Sequence, residues 1–381
     1  MSRRVRRFGP EVPGVPLIWH HTPDLRVRIP CANEFHLFPI LPVDLKQLAA
    51  RLGLSQTTVS RAINGYSDVS ETTRERVSRM AEQLGYQPNP VARRLARGQA
   101  DAIGIVYPID DGDLGDPRFL EILKGMSEFL EGVEKDLLIT PARERSEMRV
   151  YRRLVEGRRV DGMIVSRTRM VDPRIEFLRK SGLPFVAHGR TADCDDIAWL
   201  DFDNEAGTMM AVRALLAHGH RDIAYVHAPL DLNFAFQRHA GYQRAMQDAG
   251  IAVDPNHVIA GGFSRLGGYA AALRLFALAR WPTAVIVDNN LCGVGVARAM
   301  LDSQVVIGKS MSLLVYDGLS TDNLLVGQRI AAIEQPTAEQ AGRTMAEMLL
   351  TLVNGGTLDT RHVLLKPVFV PGNSIGPKIG D

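Results

Sequence analysis

From residue 101 onward, short apolar runs alternate with amphipathic helical stretches, and this alternation constrains the fold more than any other feature of the chain. Eight runs read as strands: AIGIVYPI, DLLIT, GMIVS, PFVAHG, DIAYVHA, TAVIVDN, SLLVYD and AAIEQP. Continuous apolar strands separated by helices predict parallel sheets covered on both faces. Residues 101–381 are generous for one such sheet, so two lobes are expected. Ligands of these folds lie outside the carboxyl ends of the strands. That rule nominates Asp110, Arg190, Asn289 and Asp317, with Arg238 near the start of the helix after DIAYVHA. A guanidinium fork at Arg238 suits two adjacent sugar hydroxyls or a carboxylate; the plain alternative is a surface salt bridge. Asp317 suits hydroxyl donors or a helix cap. Phe119 and Trp281 are candidate stacking surfaces, although Trp281, beside Pro282, reads more simply as packing.

A different pattern precedes this body. Leu45, Leu48, Ala49 and Leu52 form the apolar stripe of a short helix that Gly53 stops. Ser55 caps a second helix, in which Val59, Ala62 and Ile63 point inward. Gln56, Thr57, Ser60, Arg61 and Asn64 then share the outer face. A third helix starts at Ser70, carries Val77, Met80, Ala81 and Leu84 as its stripe, and ends at Gly85. Two helices joined by a tight turn, the second bearing short polar side chains, make a helix-turn-helix. Small hydroxyls and amides let a helix approach base edges closely. Arg61 can donate two bonds to a guanine, and Gln56 can pair with adenine or bridge to a phosphate. The alternative is a solvated face on a small helical bundle.

In YQPNPVARRLARG, Asn89 can cap a helix and Pro90 suits its first position. A helix of about eight residues does not stand alone in water. Leu95 among Arg93, Arg94 and Arg97 suits a minor groove, where an apolar wedge works beside cations. A flexible basic linker is the competing reading.

Charge supports this division. Residues 44–100 carry a net +4 and residues 1–43 a net +3, whereas 101–381 carry −5. A basic front on an acidic body implies a polyanion partner for the front alone. Within residues 1–43, SRRVRRF looks like a twin-arginine signal, yet the following stretch is broken by prolines, histidines and charges. A disordered tail, or an untranslated extension ahead of a start at Val43, is expected there. No run reaches the ~20 apolar residues of a membrane span. Cys31, Cys194 and Cys292 form no CxxC pair, which points to a reducing, cytoplasmic setting and away from a cysteine zinc site. His218 and His220 in HGH lack metal spacing, with His218 expected to end a helix that Gly219 stops. GGFSRLGG lacks a Walker ending, and no Gly-x-Ser-x-Gly or His-Glu-x-x-His occurs. No cofactor, metal or catalytic constellation is expected.

The stretches DLKQLAARLGLSQTTVSRAING, VSETTRERVSRMAEQLGYQPNPVARRLA and AIGIV resemble the LacI/GalR family of bacterial regulators. In the body, DFDNEAGTMMAVRALLAHGHRDIAYVHAP, RHAGYQRAMQDAGI, PTAVIVDNN, LLVYDG and IEQPTAEQAG resemble later family stretches. The resemblance implies that the second helix enters the major groove. It also implies DNA contacts from Ser55 and Tyr86, and a hinge helix over 89–97 that puts Leu95 into a central base step. It places a ligand arginine at Arg238. The chain departs from the family where PIDDGDLGDPRF is longer and more acidic than the usual Asn-Pro-Phe passage, and where Asn290 stands in place of the commoner Asp. LSQTTVSRAINGY and GDPRFLEIL most resemble regulators of α-glucoside uptake.

The domain expectation is therefore an extension (1–43), a helix-turn-helix domain (44–88), a hinge and linker (89–100) and a two-lobed, periplasmic-binding-protein-like α/β body (101–381). The expected function is a ligand-responsive homodimeric regulator, most simply a repressor, binding double-stranded operator DNA and a small effector such as a sugar. A periplasmic-type sugar receptor, a recombinase or sugar-phosphate enzyme, and a family member using a purine corepressor are the rivals. No leucine-heptad tail follows GNSIGPKIGD, which argues against a tetramer built that way.

Overall fold

The computed structural model describes residues 43–87, 98–109, 116–319, 327–335 and 338–378. Asn89, Arg93, Leu95 and Asp110 lie outside the described residues. The chain divides into two compact units, residues 1–88 and 89–381.

The described residues of the first unit form three helices, α1 (Leu45–Leu52), α2 (Gln56–Ile63) and α3 (Glu71–Gln83). Each begins on a side-chain cap. Asp44 accepts from the Gln47 amide at 2.7 Å while the Gln47 side chain accepts from the Asp44 amide, a reciprocal box. Ser55 accepts from Thr58 N at 3.0 Å and Ser70 from Thr73 N at 3.4 Å. Gly53, at φ 66°, turns α1 into α2, a conformation glycine adopts without a Cβ penalty. Leu48, Ala49, Leu52, Val59, Ala62, Val69 and Val77 form the core, with Ile63, Met80, Ala81, Leu84 and Tyr86 packed at its edge. The apolar stripes read from spacing are the ones buried.

The second unit is built on two six-stranded sheets. The first runs β11-β5-β4-β3-β1-β2, with β1 (Ala102–Pro108), β2 (Asp136–Ala142), β3 (Gly162–Val165), β4 (Phe185–His188), β5 (Ala198–Phe202) and β11 (His362–Leu365) all parallel. The second runs β12-β10-β9-β8-β6-β7, with β6 (Ile223–His227), β7 (Val258–Ala260), β8 (Ala284–Val287), β9 (Ser312–Tyr316) and β10 (Ala331–Glu334) parallel and β12 (Val368–Val370) antiparallel to β10. All eight strands read from the sequence are present. Four were not foreseen. The apolar run of β5 is interrupted by the buried Asp201, and β7, β11 and β12 are strands of 3, 4 and 3 residues.

Helices α4 (Pro117–Glu131), α5 (Glu144–Glu156), α6 (Pro173–Ser181) and α11 (Ala338–Val353) cover the first sheet. Helices α7 (Asn204–Ala217), α8 (Asn233–Asp248), α9 (Arg265–Phe276) and α10 (Asn290–Asp302) cover the second. Helices α4 and α11 touch backbone to backbone. A Cβ on Gly125 would lie 1.8 Å from the Glu339 carbonyl, and one on Gly342 2.1 Å from that of Ile122. The chain crosses between sheets after β5, after β10 and after β11. Three crossings tie two lobes with separate cores on either side of one cleft.

Candidate DNA interface and effector cleft

On the first unit, α2 is amphipathic by construction. Val59 and Ala62 are buried, so the residues between them must face out. Gln56 and Thr57 are exposed; Ser60, Arg61 and Asn64 are half-buried. Asn64 stands just past the helix as its C-cap, with its amide donating to the Ser60 carbonyl at 2.8 Å. Arg61 pairs with Asp68 at 2.7 Å and lies over the Tyr66 ring. Both partners of that pair are substantially exposed, so it is worth at most ~1 kcal/mol. Ser55 is spent as the N-cap. Tyr86 packs against the helical core, and its hydroxyl is raised above its ordinary pKa, first by burial and then by the Asp44 carboxylate.

In the second unit the carboxyl ends of both sheets converge on one cleft. From the first lobe come Tyr107 at the end of β1, Asp116, Arg118 and Phe119 opening α4, Ser166 to Thr168 after β3, His188 and Gly189 after β4, and Asp201, Phe202 and Asn204 at the end of β5. From the second come Phe234 and Arg238 on α8, Phe263 after β7, Asn289 after β8, Asp317 after β9 and Gln335 after β10. These residues surround a cavity of about 120 Å³ that opens to solvent.

Arg238 is buried rather than at the surface. Its Nε donates to Asn204 Oδ1 at 2.8 Å, one terminal nitrogen donates to the Asp288 carbonyl, and the other faces Asp317 at 3.8 Å. The guanidinium also lies 3.4 Å over the Tyr316 ring. Asp317 holds a left-handed backbone at φ 66°. Burial pushes its pKa up to about 6, against the opposing pull of Arg238 and Arg118. Burial likewise holds His188 below its ordinary value and Asp288 above it. Asn289 caps α10 and binds the Asp288 carboxylate at 2.7 Å.

The cleft is bridged at two rims. At one, Asn290 donates to Asp116 Oδ1 at 3.1 Å, and Arg118 reaches the Asp317 carbonyl at 3.5 Å. A carboxylate at position 290 would face that of Asp116, which accounts for the amide here. At the other, Asn233 N donates to the Thr168 carbonyl at 2.8 Å and Met170 N to that of Asp231 at 3.1 Å. A buried cluster backs this second rim, in which Arg174 binds Asp172 at 2.6 Å and Glu147 at 2.8 Å.

Of the nominated ligand residues within the described chain, Phe119, Arg238, Asn289 and Asp317 line the cleft together. Arg190 stands behind the wall. It binds Asp201 at 2.8 Å and Gln237 at 2.7 Å, so it orients Asp201 instead of facing the cavity. Trp281 is a packing residue whose indole donates to the Phe276 carbonyl. His218 caps α7 and binds the Ala214 carbonyl. Sequence reading missed Arg118, Arg167, Asp201, Phe234 and Phe263. Their signal was position: Asp201 closes β5 and Phe263 follows β7, neither of which had been drawn, whereas Arg118, Arg167 and Phe234 follow β1, β3 and β6, which had been. Among the described residues no group of His, Cys, Asp and Glu is placed to hold a metal, and no helix is long and apolar enough to cross a membrane.

Comparison with known proteins agrees with both halves. Residues 44–89 match the bacterial regulatory proteins of the lacI family, and residues 100–372 match the periplasmic binding proteins and sugar binding domain of the LacI family. The chain is 39% identical over 334 residues to the HTH-type transcriptional regulator RafR of Escherichia coli, covering 87% of this chain and 98% of that one. The lac repressor dimer bound to operator and the anti-inducer ONPF superposes with TM-score 0.72 at 26% identity, over 87% of this chain and 99% of the other. The transcriptional regulator CelR–cellobiose complex gives 0.65 at 28%, over 87% and 99%. This chain belongs to the LacI family of bacterial regulatory proteins and is a DNA-binding transcription regulator, not an enzyme.

Proposed function

We propose that the protein is an effector-controlled repressor that binds a palindromic operator as a homodimer in the cytoplasm, and that its effector is a glycoside. One observation carries this reading: a single chain joins a helical unit whose second helix carries a polar outer face to a two-lobed body whose strand ends converge on one cleft. Gln56, Thr57 and Ser60 read base edges; Arg61 leaves Asp68 for a guanine or a phosphate. Residues 89–97 act as the hinge, with Leu95 as its wedge and Asn89, Arg93 and Tyr86 on the backbone. Two weak half-site contacts become one strong contact when the dimer holds both modules at the right spacing.

In the body, Arg238 and Asp317 face the ligand's hydroxyls, Asn289 supports them and Phe119 offers a stacking surface. The cellobiose named for CelR supports a disaccharide-sized effector, and an α-glucoside fits the likeness noted in the sequence. A ligand touching both lobes favours one closure angle, and a coupling of about 1–3 kcal/mol is enough to shift operator affinity.

Fluorescence anisotropy with promoter fragments and random duplex at moderate salt, with and without a glycoside panel, tests the reading. A sequence preference that a glycoside alters is expected. A folded dimer with no preference for any promoter fragment rejects it.

A further inference from the structure

One helix of the acidic body carries the opposite sign. Along α5, Arg145, Arg149, Arg152 and Arg153 stand on the side opposite the buried Glu147, Val150, Tyr151 and Leu154. Arg143 precedes the helix, Arg158 and Arg159 follow it, and all seven arginines are exposed. Against them residues 143–159 hold Glu144, Glu147 and Glu156, a net +4, which leaves −9 on the rest of residues 101–381.

The molecule does not neutralise this strip itself. Two of its three carboxylates are committed elsewhere, Glu144 to Arg169 and the buried Glu147 to Arg174 at 2.8 Å. Among the described residues none of the seven arginines forms an ion pair. Like charges three and four residues apart destabilise a helix, and interspersed glutamates would solvate the same face while stabilising it. The strip also runs towards the end of the lobe at which the chain enters β1. Gly98, Gln99 and Ala100 share one surface hollow with Gly157, Arg158 and Arg159. Residues 89–97, the segment assigned to the operator, immediately precede them in the chain.

Duplex phosphates are the polyanion delivered to that end. A guanidinium fork fits phosphate oxygens, and the −9 elsewhere on the body repels a duplex from its other faces. The one aromatic residue within 143–159, Tyr151, is fully buried, so nothing there stacks on unpaired bases.

We propose that the arginine face of α5, with Arg158 and Arg159, holds the phosphate backbone of duplex DNA flanking the operator. This rests on the operator-binding reading above and extends it beyond the half-sites. Arg145 to Arg153 span about 12 Å of helix, the rise of three to four base pairs, and the contact adds affinity without sequence information.

Fluorescence anisotropy of the full chain over a salt series tests it. The probe is the promoter fragment the protein prefers, trimmed to about 20 base pairs or extended with random sequence to about 50. The long fragment is expected to bind at least about tenfold tighter at low salt, and its log affinity to fall with log salt more steeply by at least about 2. Arg149→Gln combined with Arg152→Gln and Arg153→Gln keeps good helix formers at exposed positions and is expected to remove most of that gain. Lysine at the same three positions is expected to retain it, because phosphate contacts need the charge. A long fragment that gains nothing, or a glutamine variant that keeps both gain and slope, overturns the proposal and leaves the strip to an acidic protein. A glutamine variant weakened equally on both fragments overturns it too, since its effect then lies outside the flanks. A chain that prefers no promoter fragment rejects the operator reading itself, and this proposal with it.

Discussion

Asn290→Asp places a carboxylate where an amide now bridges the lobes, and its consequence follows from one distance. Asn290 Nδ2 stands 3.1 Å from Asp116 Oδ1. Two unit charges about 3 Å apart repel by roughly 5 kcal/mol at an effective dielectric of about 20. The protein avoids that full penalty by binding a proton. For a carboxyl of ordinary pKa near 3.9, protonation at pH 7 costs about 4 kcal/mol, and at pH 5 only about 1.5 kcal/mol. The bridged cleft is thus penalised by up to about 4 kcal/mol at pH 7, while a cleft with its lobes apart is not. A ligand lined by both lobes should lose at least about tenfold in affinity at pH 7 and recover most of it at pH 5. The double variant Asp116→Asn with Asn290→Asp restores one donor and one acceptor with their places exchanged, and asparagine still caps α4. Titration calorimetry of the best-binding glycoside at both pH values reads the effect, and small-angle scattering reads the lobe separation. If Asn290→Asp binds like the wild type at pH 7, or the double variant fails to recover, the cross-cleft bond does not hold the lobes and the reasoning is wrong.

Asp317 supplies a pH signature. Its folded value of about 6 lies above the ordinary 3.8, so the native state binds this proton more tightly than the unfolded chain does. Its contribution, up to roughly 3 kcal/mol, is full below about pH 4 and is lost as pH rises to 6; the difference in melting temperature between wild type and Asp317→Asn should track that window, and a flat difference rejects the shift. Arg174→Met strands the buried carboxylates of Asp172 and Glu147 and should cost about 3–5 kcal/mol in urea unfolding, whereas a change below 1 kcal/mol would show that the cluster relaxes. Gln56→Ala should weaken operator binding by about 10- to 100-fold with glycoside affinity unchanged, and a parallel fall in both would remove α2 from the groove.

Local chemistry made part of this protein legible. The head could be read from its spacing because every signal there is short-range: the caps at Asp44, Ser55 and Ser70, Gly53 in the turn, and apolar stripes at helical intervals. Eight of the strands could be read because each is an apolar run between helices. Strand β5 could not, since Asp201 breaks its run and is tolerated only by Arg190, Asn204 and the Phe202 amide, which satisfy it. Arg190 was misplaced by one layer for the same reason. It follows a strand, as the rule requires, but the direction of its side chain is set by the carboxylate beside it.

The sequence by itself determined the three helices of the head, eight of the strands and their order, the basic head and acidic body, and the polar outer face of α2. Those follow from periodicity and from charges that lie near one another along the chain. Only the tertiary structure decided that Arg238 is buried on Asn204 and Asp288, that Asp317 Oδ1 is buried without a hydrogen-bond partner among the described residues, and that Asn290 meets Asp116 across 174 residues of chain. Three crossings of the backbone bring the ends of distant strands to one cleft, and burial there sets which polar groups are satisfied. Proximity of that kind belongs to the packing of the lobes and leaves no periodic trace in the sequence.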